Sequence, residues 1–178
     1  MIKGFNYVLN NDFDAAITMD GDGQHDPKGI GELLSVVRSG EADVALGSRF
    51  FPGSTYQPSL LRMQGIRLFR LMLWLLSGRK IQDVTTGFQA MRRHIVDLFV
   101  TDLFPCDYPD ADVILLLVRL GYEVREVPVK MYPSPSGKSM HNNPLSVFYY
   151  VFKMILSMLL TQLRKYPNQA KRQKEGGH

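Results

Sequence analysis

Apolar and polar residues are arranged along the chain with the spacings of both strands and helices. A short apolar run at residues 14–19 predicts a buried strand that leads into an acidic turn, and a helical stripe follows at 30–37. A second strand is predicted at 42–46 and a long helix at 60–76. Strands that alternate with helices are typical of an α/β fold around a mainly parallel sheet.

The second half of the sequence adds few strands. Residues 83–88 predict a turn or short strand, residues 90–99 and 110–120 predict helices, and residues 122–131 predict a half-exposed strand. The first predicted element of the whole sequence, at 1–11, is the end of a helix. Because few strands follow it, we expect the sequence to start partway through its domain.

A loop rich in Pro, Ser and Gly at 132–143 precedes the apolar segment Pro144–Leu163. A segment of about 20 apolar residues can span a bilayer. Lys153, however, lies in the middle of this run, where a charge is costly in lipid. We therefore expect an amphipathic helix at the membrane interface, and a helix packed on the protein core is the alternative.

The formal net charge of +4 resides in the C-terminal tail. Five basic residues and one acidic residue lie between Arg164 and Glu175, so the rest of the sequence is nearly neutral. The tail directly follows the apolar segment and lacks interleaved aromatic residues, which favours an anionic lipid surface and no nucleic acid. The single cysteine, Cys106, excludes an internal disulfide and fits a reducing compartment. No signal segment opens the sequence, so we expect a cytoplasmic location.

Four polar side chains crowd into the turn after the first predicted strand: Asp20, Asp22, Gln24 and Asp26. Ligands of open α/β sheets bind beyond the carboxyl ends of the strands. Carboxylates between glycines at that place suit a hard divalent cation that also binds phosphate oxygens, and a solvated acidic turn is the alternative. His25, a lone histidine in this turn, is expected to be structural and is left out of the metal set.

Two motifs, at 18–27 (TMDGDGQHDP) and 42–50 (ADVALGSRF), resemble those of the GT-A glycosyltransferases of family 2. The similarity is greatest to the dolichyl- or polyprenyl-phosphate sugar synthases. It continues through DVTTGF at 83–88, EVPV at 126–129 and GKS at 137–139, in the order of the family. The resemblance implies a partial, Rossmann-like GT-A domain over 1–143, followed by an amphipathic membrane-proximal helix at 144–166 and a basic flexible tail at 167–178.

The resemblance also implies a role for each matching residue. Asp20, Asp22 and Gln24 would hold Mg²⁺ or Mn²⁺, and the two aspartates together with Lys138 would bind the donor diphosphate. Asp83, in the turn before Thr-Gly-Phe, would lie close to the reacting centre, and the acceptor phosphate would contact Arg49 and Arg62. Ser134 stands where the family usually has an arginine. The opening strand of the family and its Asp-Asp-Gly-Ser-type turn, which bind base and ribose, have no counterpart in the sequence.

The family reaction is an in-line, inverting transfer of a sugar from a nucleotide donor. A lipid monophosphate acceptor is largely ionised at neutral pH and needs little help from a base, whereas a hydroxyl acceptor requires one. Asp83 would be the first candidate base, and the cluster at 107–112 is a second one for which helix capping is the ordinary role.

Three functions follow as hypotheses. The first is transfer of a sugar to a polyprenyl-phosphate-like lipid at the cytoplasmic face of the membrane. The second is a silent fragment or accessory subunit that binds a partner or lipid. The third is a cell-wall or capsule glycosyltransferase that acts on a hydroxyl group. Without the base-binding strands we expect weak, poorly selective nucleotide binding, little or no turnover, and self-association through an exposed sheet edge.

Overall fold

The structure, a computed structural model, describes residues 1–52, 54, 56–101, 110–132 and 144–164. Its elements are α1 (Ile2–Asn10), β1 (Ala15–Thr18), α2 (Gly29–Arg38), β2 (Val44–Ser48), α3 (Leu60–Ser77), β3 (Gln89–Arg92), α4 (Arg93–Phe99), α5 (Ala111–Arg119), β4 (Val124–Pro128) and α6 (Pro144–Leu163). This order confirms the predicted α/β class of a partial GT-A fold. Helix α6 begins at residue 144, where the amphipathic helix predicted over 144–166 begins, and it ends at Leu163.

The four strands form one open sheet in the order β1-β3-β2-β4. Strand β3 is antiparallel to both β1 and β2, and β2 pairs with β4 in parallel, so β1, β2 and β4 run in the same direction. The described sheet is therefore mixed, with β3 running against the other three strands of the sheet that was predicted to be mainly parallel. The reason is the path of the chain, because Gln89 enters the sheet opposite Thr18 and Leu46, near the carboxyl ends of β1 and β2, so β3 must run back between them.

Strand β3 occupies part of the segment for which a single helix, at 90–99, was predicted. Arg92 is extended, with φ −72° and ψ 157°, and the helix begins only at Arg93. The backbone N–H of Arg93 donates to the carbonyl of Asp14, which fixes this change of direction. Pairing with two neighbouring strands therefore takes the first three residues, 90–92, away from the predicted helix.

Helices cover both faces of the sheet. Val44 and Leu46 of β2 point to the larger core, which contains buried side chains of α1, α3, α4, α5 and α6. Ala45, between them, points to a smaller core in which Leu33 and Val37 of α2 are fully buried. The alternation along β2 explains why all five of its residues are buried.

Helix α5 is central to the larger core, since every residue from Ala111 to Leu117 is buried. Helix α6 lies against it, and hydrogen bonds connect the two helices near both ends of α5. At the end of α5, Arg119 donates to the backbone carbonyl and the side-chain oxygen of Gln162. The hydroxyl of Tyr150 donates to Asp110 (2.6 Å), and that of Ser157 donates to Asp112 (2.6 Å). Within the described part of the chain, no helix is both long enough and apolar enough to cross a membrane.

Candidate active site

The acidic turn begins two residues after β1, at the carboxyl edge of the sheet. The Asp20 side chain is 58% exposed, and Asp22 is exposed as well. The Asp22 carboxylate accepts a hydrogen bond from the Gln24 backbone N–H (3.0 Å), and Gly23 has φ 74°. The local sequence thus builds a tight turn that leaves two carboxylates facing solvent.

Asp20 lies against the turn that precedes β3. A Cβ placed on Gly87 would lie 2.5 Å from one carboxylate oxygen of Asp20, so only glycine leaves room for this carboxylate. The Thr18 hydroxyl donates to the carbonyl of Gly87 (2.9 Å), which joins the two turns. The pKa of Asp20 lies below its ordinary value, chiefly because of its contact with His25, with further contributions from the positive charges of Arg49 and Arg62.

The other end of the acidic turn is joined to the residues after β4. The Asp26 N–H donates to the Lys130 carbonyl (3.2 Å), and the Tyr132 N–H donates to the Gln24 carbonyl (2.7 Å). The Tyr132 hydroxyl donates to the Asp26 carboxylate (2.9 Å). Residues 24–26 are therefore fixed to residues 130–132, whereas Lys138 lies outside the described residues.

Arg49 and Asp83 form a buried ion pair behind the acidic turn. Their side chains are 3% and 0% exposed, and Arg49 Nε and Nη2 donate to the two carboxylate oxygens at 2.6 and 2.5 Å. Arg49 also donates to the carbonyl and hydroxyl of Thr85. Burial by itself lowers the pKa of Arg49, but hydrogen bonds and the charge of Asp83 raise the pKa overall.

This geometry bears on the roles predicted for the pair. Both oxygens of Asp83 already accept hydrogen bonds from Arg49, and its backbone N–H donates to Glu126 (2.8 Å). A base in this position would have to give up a buried ion pair. Arg62, by contrast, is exposed, and its guanidinium lies 5.9 Å from the centre of the Tyr56 ring. The guanidinium of Arg49 lies 4.9 Å from the centre of the same ring.

The two described aspartates of the cluster at 107–112, Asp110 and Asp112, have different roles. Asp112 accepts from the N–H groups of Asp110 and Val113, which is the capping role considered for this cluster. Asp110 makes no side-chain cap and instead accepts from Tyr150. Burial raises the pKa of Asp110, and the charges of Arg49 and Asp20 also act on that pKa, so this carboxyl group belongs to the neighbourhood of the site.

Three residues of this site were not predicted from the sequence as parts of it: His25, Gly87 and Glu126. His25 was assigned a structural role, although its position inside the acidic turn was a usable signal. Gly87 belongs to the Thr-Gly-Phe motif, and Glu126 opens the Glu-Val-Pro-Val motif. Among the described residues, no three His, Cys, Asp or Glu side chains are arranged to hold a metal ion by themselves.

Comparison with known proteins gives a consistent result. A family profile described as glycosyl transferase family 2 matches residues 2–99. The chain is 31% identical over 146 residues to a polyprenol monophosphomannose synthase of Mycolicibacterium smegmatis. The aligned region covers 78% of this chain and 53% of that protein. It is 30% identical over 146 residues to an undecaprenyl-phosphate mannosyltransferase of Micrococcus luteus, with 78% and 57% covered.

A third relative covers more of this chain. An undecaprenyl-phosphate 4-deoxy-4-formamido-L-arabinose transferase of Yersinia enterocolitica is 34% identical over 164 residues, 92% of this chain and 46% of that protein. The chain thus spans about half the length of these relatives. The profile covers more than half of the chain and includes the acidic turn, the buried ion pair and the Thr-Gly-Phe turn. The chain therefore belongs to glycosyltransferase family 2.

Proposed function

We propose that this chain carries the metal-binding and acceptor part of an enzyme that transfers a sugar from a nucleotide donor to a polyprenyl phosphate. The observation that carries the proposal is the exposed Asp20 carboxylate at the carboxyl edge of the sheet, whose pKa is lowered chiefly by His25 and further by the positive charges of Arg49 and Arg62. An exposed acidic turn whose carboxylate feels the charge of two arginines suits a metal-bound diphosphate on one side and a free phosphate on the other. The names of the three relatives all include a polyprenol or undecaprenyl phosphate product or acceptor.

Asp20, Asp22 and Gln24 offer oxygen ligands of the kind that Mg²⁺ and Mn²⁺ prefer. Two exposed carboxylates are too few to enclose a cation, which fits a site completed by the diphosphate of the donor. When bound, the cation would stabilise the charge that develops on the leaving diphosphate. We propose Lys138, from the sequence resemblance, as a further donor-phosphate ligand.

Arg62 is the exposed cation that we propose to position the acceptor phosphate. A phosphate monoester has a second pKa of about 6, so it is mostly dianionic at neutral pH and attacks without a base. Arg49 would contribute positive potential while it remains paired with buried Asp83. The engagement of Asp83 favours the phosphate acceptor over a hydroxyl acceptor, for which Asp83 was the first candidate base. In-line attack inverts the anomeric configuration of the sugar.

The test is a transfer assay with undecaprenyl phosphate in detergent, Mn²⁺, and a panel of radiolabelled guanosine and uridine diphosphate sugars. We expect weak Mn²⁺-dependent binding of the nucleotide and only a small yield of a lipid-phosphate-linked sugar of inverted configuration, both lost in Asp20→Asn. Free polyprenol, which has a hydroxyl group in place of the phosphate, is the matched control acceptor. Transfer to polyprenol alone would support the hydroxyl-acceptor hypothesis, and lipid binding without nucleotide binding would support the accessory-subunit hypothesis.

We further propose that the exposed face of α6 rests on the cytoplasmic surface of the membrane. Met154 and Met158 of this helix are buried in the core, while Phe148 and Phe152 are 72% and 57% exposed. Helix α3 also exposes leucines, and its Phe69 packs edge-on against Tyr150 of α6 at 5.9 Å. Exposed aromatic and aliphatic side chains beside a basic tail are typical of interfacial helices.

Sedimentation with phosphatidylglycerol vesicles tests the membrane proposal. Replacing both Phe148 and Phe152 by Ser should weaken binding at least about tenfold. The reason is that burying one exposed phenylalanine side chain in lipid contributes about 1.5–3 kcal/mol to the free energy of binding. High salt should weaken binding of the unmodified chain by screening the basic tail. The matched control is Phe13→Ser, which removes a 49% exposed phenylalanine from the chain between α1 and β1. Equal loss in the control would refute a specific role of α6.

A further inference from the structure

His25 is a buried histidine within the exposed acidic turn. Its side chain is only 1% exposed, and its ring lies 5.1 Å from the ring of Phe88. Neither ring nitrogen has a hydrogen-bond partner within normal distance among the described residues. A buried polar group without a partner destabilises a protein by about 1–3 kcal/mol. The His25 ring therefore lowers the stability of the fold, and packing alone does not explain why a histidine is buried here.

The carboxylate of Asp20 lies beside the ring. His25 Nε2 lies 3.5 Å from Asp20 Oδ2, slightly longer than a hydrogen bond. The same carboxylate also lies against Gly87, where a Cβ would be 2.5 Å from its Oδ1. A movement of a few tenths of an ångström by Asp20 would bring it to hydrogen-bond distance, and the glycine leaves it little other freedom.

The backbone of His25 is fixed more firmly than its exposed neighbours. It forms a strand-like bridge with Met131, and the flanking residues Gln24 and Asp26 make backbone hydrogen bonds to the same segment. The ring is therefore held by the fold from the side away from solvent. A fixed donor behind an exposed, movable carboxylate is the usual arrangement around a metal ligand.

We propose that His25 is a positioning residue for the metal site. Its Nε2–H group donates to Asp20 and sets the carboxylate so that one oxygen faces the cation and the diphosphate. This inference rests on the proposed role of Asp20 as a metal ligand. His25 itself does not touch the cation or the substrates.

The test compares two substitutions of nearly equal size, His25→Gln and His25→Met. Glutamine keeps an N–H donor near the position of Nε2, whereas methionine fills the space without a donor. The measurement is the affinity of Mn²⁺ in the presence of guanosine or uridine diphosphate, followed by electron paramagnetic resonance of free Mn²⁺. We expect His25→Met to weaken Mn²⁺ binding by about 10–100-fold and His25→Gln to retain most of the affinity.

Thermal unfolding of the same variants separates positioning from packing. Because methionine removes an unpartnered polar ring, His25→Met should unfold at the same temperature as the unmodified chain or higher. A lower unfolding temperature with unchanged Mn²⁺ affinity would overturn the inference and leave His25 a packing residue. Equal Mn²⁺ affinity in all three chains would also overturn it. If the unmodified chain and Asp20→Asn both fail to bind Mn²⁺ with the nucleotide, the proposed metal site itself is wrong.

Discussion

Two sets of charged residues at the same edge of the sheet are in opposite environments. In the acidic turn, Asp20 and Asp22 face solvent, and among the described residues neither carboxylate accepts a hydrogen bond from an arginine or lysine, while the buried His25 ring lies 3.5 Å from Asp20. Behind it, Asp83 is fully buried and is bound by the Arg49 guanidinium through both oxygens. The same chemical group is therefore available for a ligand in one place and already used by the protein in the other.

The difference teaches that solvent exposure, and not residue type, separates binding groups from supporting groups in this site. An exposed carboxylate can exchange water for a cation at little cost to folding. A buried carboxylate cannot lose its partner without leaving an uncompensated charge in the core. The two sets should thus respond to substitution in opposite ways, the first in ligand binding and the second in stability.

The largest effect is expected for Asp83→Asn. It leaves Arg49 buried without a counter-charge, so the free energy of unfolding should fall by about 3–5 kcal/mol, measured by urea denaturation. Replacing both residues, with Arg49→Met and Asp83→Leu, should restore much of that loss, because well-packed apolar residues can replace a buried pair. Unchanged stability of Asp83→Asn would show that the pair does not support the fold.

Asp22→Asn should have the converse effect. Mn²⁺-dependent nucleotide binding should weaken more than about tenfold, as for other changes at metal sites. The free energy of unfolding should change by less than about 0.5 kcal/mol, because the residue is exposed and, among the described residues, its carboxylate accepts a hydrogen bond only from the nearby Gln24 backbone. Isothermal titration and urea denaturation of the same sample check both parts. A large loss of stability would place Asp22 with the supporting residues.

A smaller effect is expected for Gly87→Ala. The new methyl group would occupy the space of the Asp20 carboxylate, which must rotate toward solvent. Such a rotation costs about 1 kcal/mol, so Mn²⁺ affinity should fall about fivefold with little change in folding. Gly21→Ala is the matched control, because nothing lies within 4 Å of a Cβ at that position. Equal effects of the two substitutions would show that contact with Gly87 does not define the position of Asp20.

The smallest effect concerns pH. Burial raises the pKa of Asp112, which has no cationic partner among its hydrogen bonds. A raised pKa in the folded state means that this group stabilises the protein below its unfolded pKa, and that this contribution is lost as pH rises through the folded pKa. Asp112→Asn should therefore gain stability relative to the unmodified chain as pH rises above the unfolded pKa of about 4. A difference that does not depend on pH would contradict the prediction.

Much of the fold follows from local sequence patterns. The stripe of α2, the strand of β1 and the start of α6 could be located because the hydrophobic period and the flanking Pro or Gly residues agree. The start of β3 could not. Met91, Ile95, Leu98 and Phe99 fit one helical face, and only pairing with β1 and β2 makes Met91 extended. That pairing joins residues about 70 and 45 positions apart, which no local pattern contains.

The site shows the same limit. The acidic turn was predictable because all of its polar residues are adjacent in sequence. Residue types alone could not show that Arg49 and Asp83 bind each other across 34 positions, nor that Gly87 makes room for Asp20. The predicted roles of these residues came from family resemblance, and the structure adds the burial and contacts that divide them into two groups.

The hydrogen bonds between α6 and α5 restrict how α6 can move relative to the rest of the domain. Tyr150 and Ser157 connect α6 to the acidic residues at the start of α5, close to the site. Because Met154 and Met158 are also part of the core, α6 cannot swing away from the domain without opening it. A bilayer that receives the outer face of α6 would therefore set the height and tilt of the whole domain. The distance between the lipid surface and the site, which the acceptor headgroup must cross, would then be fixed and would not depend on a hinge motion.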